Sequence, residues 1–154
     1  QEKLEGLLAE WQRILRIQDW TITVKLVKHR ELLSDHNVAY IECHLATRVA
    51  LIKIVHPDDL PPEGVDEWWD VPHARDIEHT LVHELIHVYT KPFEQKYGTL
   101  QNTAVEVMVD GLAGALVGLK RKAESESKTI RGNGRFSKKT ELRPVIDVEE
   151  FLKT

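Results

Sequence analysis

The chain has 154 residues, 42% of them apolar and 30% charged, with 8 glycines and 6 prolines; this size and balance fit one folded domain and exclude a wholly disordered or fibrous chain. The formal net charge of -4 joins an acidic body to a basic tail, because residues 1–119 carry 11 Lys and Arg against 19 Asp and Glu, whereas residues 120–143 carry 9 against 3. The longest apolar-rich stretch, Val105 to Leu119, is broken by Asp110 and falls short of the roughly 20 residues that span a bilayer, so no membrane helix is expected. The opening Gln1-Glu2-Lys3 lacks the apolar core of a signal peptide, and the single cysteine, Cys43, excludes an internal disulfide and suits a reducing compartment; a cytoplasmic setting is the expectation.

Leu4, Leu7, Leu8, Trp11, Ile14 and Leu15 recur at spacings of three and four, which predicts an amphipathic helix over residues 3–17. From Trp20 to Val27, Ile22, Val24 and Leu26 alternate with Thr21, Thr23 and Lys25, the pattern of a half-buried strand. Val38–Leu45 and Arg48–Val55, two residues apart and rich in aliphatic side chains, predict a hairpin. The proline-rich, acidic stretch from His56 to Pro72 reads as a long loop, in which Trp68 and Trp69 either pocket a substrate side chain or close the core. A helix over Arg75–Thr90 must end by Pro92, and a second runs from about Thr103 to Leu119.

From Lys120 the chain reads AESESKTIRGNGRFSKK, with almost nothing to bury, and a mobile basic linker over 120–143 is expected. Nothing in it interleaves aromatic and basic side chains as specific nucleic-acid recognition requires. Val145, Ile146, Val148, Phe151 and Leu152 then form a short apolar segment within 144–154 that can dock within the molecule or on a neighbour, and an inhibitory role is conceivable there. The fold class is α+β: an N-terminal helix, a small mixed sheet and two packed helices in a domain over 1–119.

The chemistry concentrates in Thr80–Thr90. There His83, Glu84 and His87 are the only charged or imidazole side chains, set among Leu81, Val82, Leu85, Ile86 and Val88. Histidines at i and i+4 share a helix face about 6 Å apart along the axis, so both can reach one tetrahedral cation with Glu84 beside them. This is H-E-x-x-H, the pattern of zinc ligand, general base and zinc ligand; a solvated helix face is the plainer reading of five such residues. A catalytic zinc site needs a third protein ligand and keeps one position for water. All eight histidines precede position 88, so the third ligand is sought among the acids. In the apolar helix after Thr103, Glu106 and Asp110 are the only charges, and a helix so apolar is expected to be buried nearly all round. Glu106 is the candidate third ligand, against a capping box with Thr103, and Asp110, one turn on, can hold the far nitrogen of a ligating histidine. His79 can line the cleft but reads more plainly as a surface histidine, and Cys43 as a small core residue.

His83-Glu84-Leu85-Ile86-His87, followed 19 residues later by Glu106-Val-Met-Val-Asp110, resembles the gluzincin zinc metallopeptidases, the thermolysin-like class. The likeness covers roughly Trp20–Leu119 in order of elements and is specific at the motif residues. The chain departs from the large members in lacking a C-terminal helical subdomain and is more similar to the compact single-domain members, the minigluzincins. The resemblance implies a zincin-like fold, one catalytic Zn2+ held by His83, His87 and Glu106, Asp110 behind the ligands, and Glu84 as base in peptide hydrolysis. It also implies a tyrosine between the second histidine and the glutamate as oxyanion donor, for which Tyr97 is placed, and a peptide or protein substrate added to a sheet edge formed by Val38–Leu45 or Arg48–Val55. The rival from another class is a zinc-stabilised binding or adaptor module that uses the basic tail for a partner.

Overall fold

The computed structural model describes residues 1–32, 37–60, 75–94 and 99–132. Tyr97, the Trp68–Trp69 pair, most of the acidic loop, residues 133–143 and the apolar segment 144–154 lie outside the described residues. The described residues form a small α+β fold in which three α-helices, α1 (Glu2–Ile14), α2 (Ile77–Glu94) and α3 (Thr99–Gly132), accompany three strands, β1 (Thr21–Val27), β2 (Ala39–His44) and β3 (Val49–Val55). Among the described residues, no helix is long and apolar enough to cross a membrane.

The strands make a mixed sheet in the order β1-β3-β2, with β1 parallel and β2 antiparallel to the central β3. The hairpin forms as expected, its turn closed by Arg48 at φ 53. Register follows from the alternation: Val24 and Ile41 both pair with Ile52, so three aliphatic side chains meet on the buried face, while Thr21, Thr23 and Lys25 face solvent. A slip of one residue would turn this whole set outward, so the register is strongly specified.

α1 buries Leu4, Leu8 and Trp11 against the same core; Ile14, expected on that stripe, is exposed, because the helix ends there and Arg16 turns the chain at φ 55. α2 packs on β2, β3 and α1 and is buried nearly all round, with Leu81, Val82 and Leu85 inaccessible to solvent. Asp76 caps it by accepting the His79 backbone N–H at 3.2 Å. The helix runs to Glu94, past the predicted stop at Pro92. A proline forfeits one backbone hydrogen bond, here the one that Val88 would accept from residue 92, and only two helical residues follow it, so the cost of continuing is small.

α3 differs most from expectation. It starts at Thr99, so Thr103 lies inside the helix and does not form the cap of the alternative reading. It also extends to Gly132, so residues 120–132 of the expected linker are helical; Arg, Lys, Ala and Glu are all good helix formers and need no core to hold that conformation locally. Nor is α3 buried all round: Val109, Ala113 and Val117 enter the core, whereas Val107, Met108, Leu112 and Leu119 are exposed.

Lys120 and Arg121, assigned from sequence to the linker, clasp the start of α2. Lys120 Nζ lies 2.7 Å from Glu78 and 3.1 Å from Glu10, and sits 5.6 Å above the Trp11 ring. Arg121 holds Asp76 with two hydrogen bonds, at 2.7 and 2.8 Å, and reaches Glu78. Trp11 Nε1 donates to Glu78 as well, at 3.0 Å. Hydrogen bonding from Arg121 keeps the Asp76 carboxyl below its ordinary range; for Glu78 burial opposes ionisation, but hydrogen bonds from Lys120, Trp11 and Arg121 outweigh it. A carboxylate with a depressed pKa stabilises the fold fully above its unfolded value of about 4 and loses that contribution as pH falls through the folded value. Arg121→Ala is therefore expected to cost about 1 kcal/mol near neutral pH, after allowance for a half-exposed guanidinium. Urea midpoints measured near pH 7 and again near pH 3 check this, with the gap between variant and parent shrinking in acid.

Candidate metal centre

Helix geometry explains how two adjacent turns of α2 and one of α3 converge. His83 and His87 are one turn apart on α2, and their rings meet edge to face with centroids 5.0 Å apart. On α3, Glu106 and Asp110 share the face that carries Val109, Ala113 and Val117 into the core, so the packing of that apolar stripe brings both carboxylates toward α2.

His83 Nε2 lies 3.2 Å from Glu106 Oε2 and 3.2 Å from His87 Nε2, and the remaining side, His87 Nε2 to Glu106 Oε2, is 3.5 Å. Those three side chains form a group that can hold a metal ion. Ligands about 2.0–2.1 Å from a tetrahedral ion stand about 3.3–3.4 Å apart, so the triangle has the dimensions of one tetrahedral face before any ion is considered. Its donor set, two imidazoles and one carboxylate, suits a borderline transition ion better than calcium or magnesium, which favour six or more oxygens. His83 is partly exposed and the Glu106 side chain 55% so, which leaves the face approachable from solvent.

The far ring nitrogens also have partners. Thr90, which sequence reasoning had passed over, places Oγ1 3.2 Å from His87 Nδ1 and donates to the His87 carbonyl at 3.4 Å. With the hydroxyl hydrogen so used, its lone pair is free to receive Nδ1–H, the tautomer that would present His87 Nε2 to a bound cation. The signal was legible as a hydroxyl residue three positions after the second histidine, since i and i+3 share a helix face. Asp110 Oδ1 stands 3.7 Å from both His83 Nδ1 and His79 Nε2. His79 is buried, contrary to the surface position expected for it, because α3 covers the start of α2. Cys43 is half-buried on β2 and packs against the core.

Electrostatics separate the two glutamates. Hydrogen bonds from His83 and then His87 hold Glu106 well below the usual carboxylate range, and its ionised form is the one a cation needs. Burial pushes Glu84 the other way, to about 6, despite the two neighbouring imidazoles. Glu84 is 7% exposed and is not a corner of the triangle. The site thus pairs one permanently charged carboxylate with one that can exchange a proton near neutral pH.

Asp110→Ala is expected to weaken metal binding by about 10–100-fold, the usual cost of losing a group that orients a ligating histidine. Competition against a chromophoric chelator measures it, and an unchanged affinity would remove Asp110 from the site.

No protein-family model matches the chain, and neither a curated protein nor a solved structure does.

Proposed function

We propose that this chain is a zinc-dependent endopeptidase with a zincin-like fold of the compact gluzincin type, in which His83, His87 and Glu106 hold one Zn2+ ion and Glu84 is the general base. The observation that carries the reading is the triangle of ligand atoms with edges of 3.2, 3.2 and 3.5 Å beside a buried carboxylate that is not part of it. A site that only braced the fold would gain nothing from Glu84, since a buried carboxylate without a role in binding costs solvation. The order of elements, a helix, a small mixed sheet, the H-E-x-x-H helix and then the glutamate helix, supports the same assignment.

Bound zinc supplies Lewis acidity and lowers the pKa of water from about 15.7 toward about 7. Glu84 then serves by accepting a proton at its carboxylate and returning it to the departing amine, for which a carboxyl poised near neutrality is suited. Thr90, at hydrogen-bond distance from His87 Nδ1, and Asp110, 3.7 Å from His83 Nδ1, are the groups that would turn each Nε2 inward before substrate arrives. Of the two strands considered for substrate addition, β3 is central and its edges are taken, which leaves β2 to offer main-chain groups to an extended peptide. Tyr97 is retained as the proposed oxyanion donor on the resemblance alone.

The test is hydrolysis of a mixed library of quenched peptides by the zinc-loaded chain beside its Glu84→Gln variant, with zinc content measured in both. Full zinc occupancy and no turnover by the parent would favour the zinc-stabilised binding module instead.

A further inference from the structure

The histidine row of α2 is one turn longer than the metal triangle uses. His79, His83 and His87 recur every four residues on α2, as Glu106, Asp110 and Gly114 do on α3, so each set shares a helix face. The side chains of the two rows alternate. His87 Nε2 lies 3.5 Å from Glu106, Glu106 3.2 Å from His83 Nε2, His83 Nδ1 3.7 Å from Asp110, and Asp110 3.7 Å from His79 Nε2. At the far end a β-carbon placed on Gly114 would stand 3.7 Å from His79 Nε2, ordinary contact, so glycine leaves the tip of that ring uncrowded. The proposed chemistry gives a task to every imidazole and carboxylate of this run except His79.

His79 is only 5% exposed, although it stands in the first turn of its helix. A buried imidazole costs solvation unless its nitrogens find polar partners. The turn that carries it is firmly held: Asp76 accepts its backbone N–H at 3.2 Å, and Arg121 of α3 grips Asp76 at 2.7 and 2.8 Å. Asp110 is the opposite case, with a side chain 52% exposed. An aspartate so open to water orients His83 poorly unless something orients the aspartate. Its Oδ1 stands equally far from His83 Nδ1 and His79 Nε2, slightly beyond hydrogen-bond length. A carboxylate has two oxygens, so a small turn gives each imidazole an acceptor of its own.

We propose that His79 is a positioning residue, donating from Nε2 to Asp110 and so keeping that carboxylate turned toward His83 Nδ1 while His83 holds the metal. The assignment rests on the metal-centre reading and extends it by one residue. A neutral imidazole has a single N–H, and placed on Nε2 it makes a charge-assisted bond to an ionised carboxylate. The buried ring then supplies the rigidity that the exposed aspartate lacks. A histidine that merely filled space under α3 would be replaceable by any ring of similar size.

Zinc affinity of the full chain, measured against a chromophoric chelator, separates these roles. His79→Phe should weaken binding by about 3–10-fold, less than the loss expected for Asp110 itself, whereas His79→Gln, which carries an amide N–H to a similar place, should stay within about 2-fold of the parent. In an Asp110→Ala background His79→Phe should change affinity by less than about 2-fold, because its route to the metal is gone; a packing defect would persist there undiminished. Melting without zinc checks that each variant is folded. Nitrogen-15 spectra of the histidine rings in the zinc-loaded parent add a readout that needs no destabilised variant. The His79 signal, identified by its absence from His79→Gln, should show a protonated Nε2 and should move in Asp110→Ala. A bare Nε2 overturns the proposal, and so does a folded His79→Phe that binds zinc as the parent does or that loses as much affinity without Asp110 as with it. A parent that binds no zinc at all would instead remove the metal centre, and this assignment with it.

Discussion

Glu84→Gln is expected to leave zinc binding intact while lowering peptide hydrolysis by roughly 10²–10⁴-fold, the range over which a positioned acid-base group acts. The substitution is nearly isosteric, so the surroundings of residue 84 between Leu85 and the two histidines should be preserved, and a neutral amide in a site only 7% exposed removes a buried charge that burial already disfavours. Thermal stability should therefore hold or rise slightly. The amide can neither accept nor return a proton at neutral pH, so the deficit belongs in kcat, with KM little changed. Comparison of kcat and KM on one fluorogenic peptide, alongside zinc content, decides the matter. If the variant hydrolyses at the parent's rate, Glu84 is not the base; if it loses zinc, Glu84 is a ligand rather than a bystander to the triangle.

Glu106→Ala is expected to do the reverse and lower zinc affinity by more than the roughly 100-fold that marks the loss of an orienting partner. Glu106 contributes one of three corners, and it is the only corner bearing a negative charge, so its removal leaves two imidazoles 3.2 Å apart with nothing to offset a divalent cation. The same change should abolish the zinc-dependent rise in melting temperature expected of the parent, because a ligand that binds only the folded state stabilises in proportion to RT ln(1 + [L]/Kd). Without zinc the two proteins should melt close together, since the Glu106 side chain is half-exposed and its pairing with the histidines is screened by solvent. Calorimetric titration with zinc and melting with and without the ion provide the readout, and undiminished binding would place the third ligand elsewhere.

How much of this could be read from the residues differs by element. The strands were legible because Ile22, Val24 and Leu26 alternate strictly with polar neighbours, and a period of two admits only one buried face. H-E-x-x-H was legible for a similar reason, since spacing along one helix converts directly into a shared face. Glu106 was accessible by elimination and Thr90 was not considered, although both stand at helical distances from what they touch. The clasp of Lys120 and Arg121 on Asp76, Glu78 and Glu10 was misread as linker, because its value arises from side chains 40 or more positions away that only packing brings near.

The burial of α3 was misjudged from composition. Apolar residues on every side imply a covered helix only if something covers it, and the chain offers a core to just one stripe, Val109, Ala113 and Val117. Local pattern by itself determined the identity of the elements, the register tendencies of the strands and the two histidines that share a face, because these depend on residues a few positions apart. Only the tertiary structure decided that β3 is central, that Glu106 and Asp110 face the α2 histidines, that His79 is buried and that the outer side of α3 is open. Those facts depend on which surfaces meet across long stretches of chain, and no periodicity within a single element encodes its neighbour.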